Sequence, residues 1–345
     1  MSFSRTLRMT LCLLTAAVVS SVGTYYYLRS FAVISPLGKM SLPFLPEPLP
    51  LNDYTLENLS AQDIKPAILT IDAIMEETST YTVYLFSVTV DGQKVTGQMH
   101  VPKIPPPPGG FPIIVMNRGY IDPTVYKTGM GTKPAAAYFA SKGYVTLAPD
   151  FLGFGGSDRE DSDTMAARVK KPLTIMTILH SLDSLNSFTK ADITRVGMWG
   201  HSNGGQISLT VLAIMSHSPH WHQSLPTTLW APVTAAFPYN ILYYTDDFDD
   251  VGKKLRQTLY NFELKYDTDQ FSFHRYLDWI SSPVQLHQGT ADDQVPTVWS
   301  DRLAKALQAK DKLVTYYTYA GADHNVKPNW NQVVGRDLDF FADNL

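Results

Sequence analysis

From Tyr81 to Val90 the chain reads Tyr-Thr-Val-Tyr-Leu-Phe-Ser-Val-Thr-Val, dense in β-branched and aromatic residues. Asp91-Gly92 follows, and a second run of the same kind ends near Val101. Two such runs joined by Asp-Gly predict a β-hairpin. Pro105 to Pro108 and Gly109-Gly110 then break the chain before a short apolar run, Ile113 to Met116. Beyond that point short apolar runs alternate with longer segments of helical character. Strands are expected at Tyr144–Ala148, Val196–Trp199, Thr228–Trp230, Pro283–Leu286 and Val314–Tyr319. Helices are expected over most of Thr164–Phe188, after Asn203, at Thr297–Ala309 and at Trp330–Phe341. Short apolar strands separated by helices predict an α/β fold, a mostly parallel central sheet with helices on both faces.

The alternation lapses between Ala235 and Ser282. This aromatic segment, spotted with Asp246, Asp247, Asp249 and Asp250, reads as a helical cap insertion. It follows a sheet strand, where a cap over an active site belongs. Its rings mostly supply a small core between cap and sheet. Phe237, Tyr239, Tyr243 and Tyr244, at its start, are the candidates for lining a substrate pocket.

The N-terminus changes the picture of location. Arg5 and Arg8 precede about 20 uncharged residues, Met9 to Leu28, enough for a helix to cross a hydrocarbon core. Tyr25, Tyr26 and Tyr27 at its far end suit the membrane interface, and the basic flank keeps the N-terminus in the cytoplasm. Residues 1–34 are therefore expected to form a membrane anchor, with the catalytic domain outside the cytoplasm. Ser21 and Gly23 are compatible with a cleaved signal peptide and a secreted product as the alternative. Residues 35–51 carry five prolines and read as an extended spacer. Residues 52–345 form the catalytic domain, with the cap at about 235–282.

Composition narrows the chemistry. A formal charge of -4 offers no electrostatic case for nucleic acid. The single cysteine, Cys12, lies in the apolar N-terminal stretch, so the folded part has no disulfide, thiolate metal site or Cys nucleophile. His217, His220 and His222 have no carboxylate at ligand spacing and read as a solvated loop. Neither a metal nor an organic cofactor is implied.

Gly200-His201-Ser202-Asn203-Gly204-Gly205 fits G-x-S-x-G and lies between an expected strand and an expected helix, the context that motif requires. A serine on so tight a turn is held in a strained conformation, and bulky side chains two residues either side would collide. Glycines at 200 and 204 remove the collision, and the following helix N-terminus offers N–H groups to a developing oxyanion. Ser202 needs a base held by an acid. Gly289-Thr290-Ala291-Asp292-Asp293 and Ala320-Gly321-Ala322-Asp323-His324 each follow an expected strand, at the sheet edge where catalytic groups collect. His324 is the base; the acid is Asp292 or its neighbour Asp293. His201 should be turned away by the elbow, into a packing or hydrogen-bonding role.

Together these segments resemble the catalytic domain of the prolyl-oligopeptidase family of serine peptidases, within the α/β-hydrolase superfamily. The likeness covers roughly residues 80–345 and includes Asp150-Phe151-Leu152-Gly153-Phe154-Gly155-Gly156-Ser157, similar to the family's D-x-x-G-x-G-x-S loop. The resemblance implies Ser202 as nucleophile, His324 as base and Asp292, rather than Asp293, as acid. Where family members show a His-Gly pair this chain has Asn117-Arg118-Gly119-Tyr120. Main-chain donors survive such replacement, so the oxyanion hole is assigned to the N–H groups of Asn203 and Tyr120. Anchor, spacer and hairpin leave no room for the family's N-terminal β-propeller. The expected function is hydrolysis of peptide or amide bonds in small molecules or short peptides through an acyl-enzyme. Carboxylic esters are the alternative, and a catalytically silent binding protein is a third reading.

Overall fold

The computed structural model describes residues 20–24 and 49–345. The expected membrane span at 9–28 therefore lies outside the described residues, apart from a short helical stretch at 20–24. Among the described residues no helix is long and apolar enough to cross a membrane.

Nine strands form one sheet: β1 (Thr70–Glu77), β2 (Tyr81–Val90), β3 (Gln93–Pro102), β4 (Phe111–Asn117), β5 (Val145–Pro149), β6 (Ala191–His201), β7 (Thr227–Trp230), β8 (Val284–Gly289) and β9 (Val314–Tyr319). Their order is β1-β2-β3-β5-β4-β6-β7-β8-β9. β1, β2 and β3 pair antiparallel, as do β3 and β5. Every pairing from β5 through β4 and β6 to β9 is parallel. The hairpin turns at Asp91 and Gly92, with φ of 48° and 76°, the left-handed pair that a tight two-residue connection needs.

β4 shows why the parallel strands are continuously apolar: all seven of its residues are buried. Ile113 and Val115 join one core with Met198, Leu229, Leu286 and the helices Lys171–His180, Asn203–His217 and Thr297–Gln308. Ile114 and Met116 point the other way, to Phe139 of the helix Lys133–Ser141 and Phe341 of the helix Trp330–Asn344. Successive side chains leave opposite faces of a strand, so one apolar run serves two cores.

Two features differ from the sequence expectation. The strand β1 was hidden by Asp72, Glu76 and Glu77, and most of its residues are exposed; it is an edge strand held by pairing to β2. The segment 164–188, expected to be largely helical, is so, but in pieces: Thr164–Val169, Lys171–His180 and shorter turns. Pro172 lacks the N–H that a continuous helix would use and constrains the residue before it, so the helix restarts there.

Residues 235–282 hold three 3-10 segments, Tyr239–Asp247, Thr268–Phe271 and Phe273–Trp279, and the helix Lys253–Glu263. Phe237, Ile241, Phe262 and Phe271 pack with Met165, Ala166 and Val169. Phe273, Tyr276 and Ile280 enter the main core instead. Asp250 accepts hydrogen bonds from the Gly252 and Lys254 amides, at 2.9 and 2.8 Å, and so starts the cap helix.

Candidate active site

Ser202 joins β6 to the helix Asn203–His217 with φ 54° and ψ -123°. A non-glycine residue there costs about 1–3 kcal/mol and persists only where its surroundings over-determine it. They do. The Ser202 amide donates to the Trp230 carbonyl at 3.0 Å, and its own carbonyl accepts from Gly205 and Val233 at 2.9 and 3.0 Å. Two of these bonds hold the elbow to β7 and the segment after it, and the third closes the first turn of the following helix.

The glycines around it have steric roles that reach further than the motif implies. A Cβ on Gly204 would overlap the backbone of Asn117 and Arg118, so the end of β4 lies directly against the first turn of the helix. A Cβ on Gly205 would strike Pro232. Gly119 is as close: a Cβ there would sit 3.0 Å from the Ser202 Cβ. The loop carrying Tyr120 is therefore wrapped over the serine. As the first helical residue, Asn203 has no intrahelical acceptor for its amide. Tyr120 itself is 71% exposed, with its backbone one residue from the contact.

His324 follows β9 and is 5% exposed. Its Nδ1 lies 2.9 and 3.0 Å from the two carboxylate oxygens of Asp292, which follows β8. The acid is held in turn. Its Oδ1 accepts from the amides of Gln294 and Val295, both at 2.9 Å, and its Oδ2 accepts from Gln288 Nε2 at 2.9 Å. Gln288 is fixed by Ser300, whose hydroxyl donates to it at 2.8 Å. Burial alone would raise the Asp292 carboxyl, but the hydrogen bonds from His324 and the two amides outweigh it and hold it below the usual range. Asp293 is exposed and makes none of these contacts.

The His201 side chain reaches the loop after β9, which carries His324. Its Nε2 lies 3.0 Å from the His324 carbonyl, an acceptor, so Nε2 carries the proton and donates. The two imidazole rings are 4.7 Å apart. Burial, followed by repulsion from His324, pushes the His201 imidazole down to about 4, so it stays neutral at pH 7. It clamps the His324 loop against the Ser202 elbow.

The D-x-x-G-x-G-x-S loop is a hub of the same region. Asp150 is fully buried and accepts from Thr96 (2.6 Å), Thr128 (2.8 Å) and Tyr126 (2.7 Å). Arg118 donates to the Asp150 and Gly119 carbonyls, and its guanidinium lies over Tyr126 and Phe154 at 4.3 and 4.0 Å. Arg118 thus anchors the Gly119–Tyr120 loop. Sequence reasoning missed this role, and missed Gln288 and Ser300 as supports for Asp292. An arginine in an apolar strand end was the available signal for the first.

The cap residues divide. Phe237 is buried and lines a cleft whose wall includes Asn203. Tyr243 and Tyr244 form an edge-to-face cluster with Trp299, at 5.0 and 6.4 Å. Burial, then Tyr243 and Asp292, raise the Tyr244 phenol, which places it within electrostatic reach of the acid. Tyr239 is half exposed and turned toward Glu263 and Thr268. Of the three histidines expected on a loop, His217 is instead the last residue of the helix Asn203–His217 and stacks on Trp279 at 3.9 Å. Among the described residues no cluster of His, Cys, Asp or Glu could hold a metal ion.

Residues 131–345 match the family model for the prolyl oligopeptidase family. The chain belongs to that family. Among curated relatives it is similar to dipeptidyl peptidase family member 6 of Caenorhabditis elegans, 24% identical over 205 residues, or 59% of this chain and 27% of the relative. It is also 24% identical to dipeptidyl aminopeptidase BIII of Pseudoxanthomonas mexicana over 196 residues, 54% of this chain and 27% of that protein. The matches cover about a quarter of each relative's own length. A puromycin-hydrolyzing peptidase of Mycobacterium tuberculosis shares the fold with TM-score 0.57 and 20% identity, over 78% of this chain and 40% of that one. Acetyl xylan esterase 1 of Thermoanaerobacterium does so with TM-score 0.54 and 17% identity, over 86% and 94%. The sheet and its elbow have the α/β-hydrolase fold.

Proposed function

We propose that the chain hydrolyses amide or peptide bonds of small substrates through an acyl-enzyme on Ser202. In this reading the Ser202 hydroxyl attacks the carbonyl carbon and His324 takes its proton. The N–H groups of Asn203 and Tyr120 hold the oxyanion, and His324 protonates the leaving amine. Water repeats the cycle and frees the acid. Asp292 keeps the Nδ1–H tautomer of His324 and stabilises the imidazolium. What carries the reading is one arrangement: a strained serine at the elbow, whose neighbour His201 holds the loop of a histidine bound by both oxygens of a carboxylate kept below its usual range. The preference for amides over esters rests on family membership.

A panel of aminoacyl and dipeptidyl p-nitroanilides against short p-nitrophenyl esters tests this. Efficient turnover of an anilide supports it; turnover of esters alone replaces it with a carboxylesterase. The cellular place is part of the same proposal. With residues 9–28 as an anchor, the full-length chain should stay with membranes through a high-salt wash, and a chain lacking residues 1–34 should not.

A further inference from the structure

Beside the elbow lies an open cleft with about 40 Å³ of free space, enough for a group the size of a carboxylate. Asn203 and Gln206 of the nucleophile helix form part of its wall, and Phe237 and Phe271 of the cap form another part. The remaining side carries two cations, Arg168 and Lys171, from either side of the helix break at Lys170. Neither takes part in the hydrogen-bonding described above. The Arg168 Nε is sealed from solvent and has no hydrogen-bond partner. Among the described residues neither cation has a carboxylate at ion-pair distance. Their neighbour Lys170, by contrast, is paired with Asp161 at 2.8 Å.

Both side chains are half-buried, and a cation drawn partly out of water without a partner is costly, because desolvation is not offset by attraction. Its surroundings make the imbalance worse. Burial, then repulsion from Arg168, pushes the Lys171 ammonium down to about 8, and burial lowers Arg168 as well. Glu160, on the wall of an adjoining cavity, is the carboxylate within electrostatic reach of both, and Arg118 adds a third positive charge near Lys171. The Tyr120 phenol also lies within electrostatic reach of Arg168, which ties the cations to the loop over Ser202.

We infer that this cleft is an anion subsite, and that the enzyme selects substrates carrying a free carboxylate, held by the Arg168 fork with Lys171 beside it. Guanidinium geometry matches a carboxylate with two parallel hydrogen bonds, and a compact ammonium adds charge without demanding orientation. Gln206 supplies a neutral polar group on the same wall, and Phe237 and Phe271 an apolar one for the carbon skeleton. This inference rests on the assignment of Ser202 as nucleophile.

The test compares pairs of esters that differ by one carboxylate. 4-Nitrophenyl hydrogen adipate against 4-nitrophenyl hexanoate puts the charge on the acyl side. 4-Carboxyphenyl acetate against phenyl acetate puts it on the leaving group. The full-length enzyme should favour the carboxylate member of one pair at least about tenfold in kcat/KM. Arg168→Met and Lys171→Met should each lower that rate about ten- to a hundredfold, mainly through KM, as expected for losing a charge-assisted hydrogen bond. The neutral ester should change less than about threefold, which also shows that each variant is folded. Adipate itself should bind the wild type by calorimetry, and the double variant should not bind it. Equal rates within both pairs, or parallel losses on charged and neutral esters, with Ser202 still labelled by a fluorophosphonate, would overturn the subsite alone. No turnover of any substrate and no labelling would overturn the nucleophile, and the subsite with it.

Discussion

Asp292 and His324 are bound through both carboxylate oxygens, at 2.9 and 3.0 Å from one ring nitrogen, although they sit on separate loops after β8 and β9. That bond leaves Nε2 as the free nitrogen of the His324 ring. It also divides the two neighbouring aspartates: Asp292 is partly buried and Asp293 is exposed. Asp292→Asn should leave the fold intact and cost on the order of 10⁴ in turnover, by favouring the wrong tautomer. Asp293→Asn should change turnover less than about threefold. Ser202→Ala should lose several powers of ten without losing stability, since Ala removes only the hydroxyl. Steady-state kinetics on the three variants checks the set, and a reversal between the aspartates would move the acid by one residue.

Gly204 lies where any side chain would meet the Asn117 and Arg118 backbone. Gly204→Ala must therefore displace the loop that carries Tyr120. A shift of about 1 Å at reacting groups can cost about 10² in rate, and overpacking costs about 1–3 kcal/mol. Both a lower kcat and a lower urea midpoint are expected. Normal kcat in this variant would detach the loop from catalysis.

His100 gives the fold a dependence on pH. It is fully buried in β3, and neither ring nitrogen has a hydrogen-bond partner. Burial pushes the imidazole down to about 4, against about 6.5 in the unfolded chain. As pH falls below about 6.5 the unfolded chain takes up a proton that the folded one does not, so stability falls from there down to about pH 4. The loss is about 2–3 kcal/mol at pH 4.5. His201 acts in the same direction. Replacing His100 with Leu should flatten the fall in urea midpoint between pH 7 and 4.5, and an unchanged slope would show that other groups dominate.

Asp337 ties the closing helix to the sheet. Fully buried, it accepts from Trp230 Nε1 (2.6 Å) and Gln285 Nε2 (3.1 Å), and lies 3.0 Å from His287 Nε2. Asp337→Ala leaves those buried donors unpaired, and about 3–5 kcal/mol of stability should be lost. Thermal and urea unfolding measure this. A loss under about 1 kcal/mol would mean the donors find other partners.

The sheet was legible because its strands are local: a parallel strand buried on both faces must be continuously apolar, and the runs at 113–116 and 196–199 show it. The elbow was legible too, since Gly200, Ser202 and Gly204 answer a steric demand within five residues of chain. β1 was not, because an exposed edge strand is held by its partner's hydrogen bonds rather than by apolar spacing of its own.

The chain's sequence by itself determined the strand–turn–helix around Ser202 and placed an acid and a histidine after successive strands, because those depend on neighbours along the chain. Choosing between Asp292 and Asp293 from geometry, turning His201 into a clamp on the His324 loop, and setting Arg168 and Lys171 beside Asn203 depended on the tertiary structure. Each of these is a contact between segments separated by about 30 to 120 residues. Hydrogen bonds and burial act through space, so their partners exist only once the sheet has brought the loop ends to one edge.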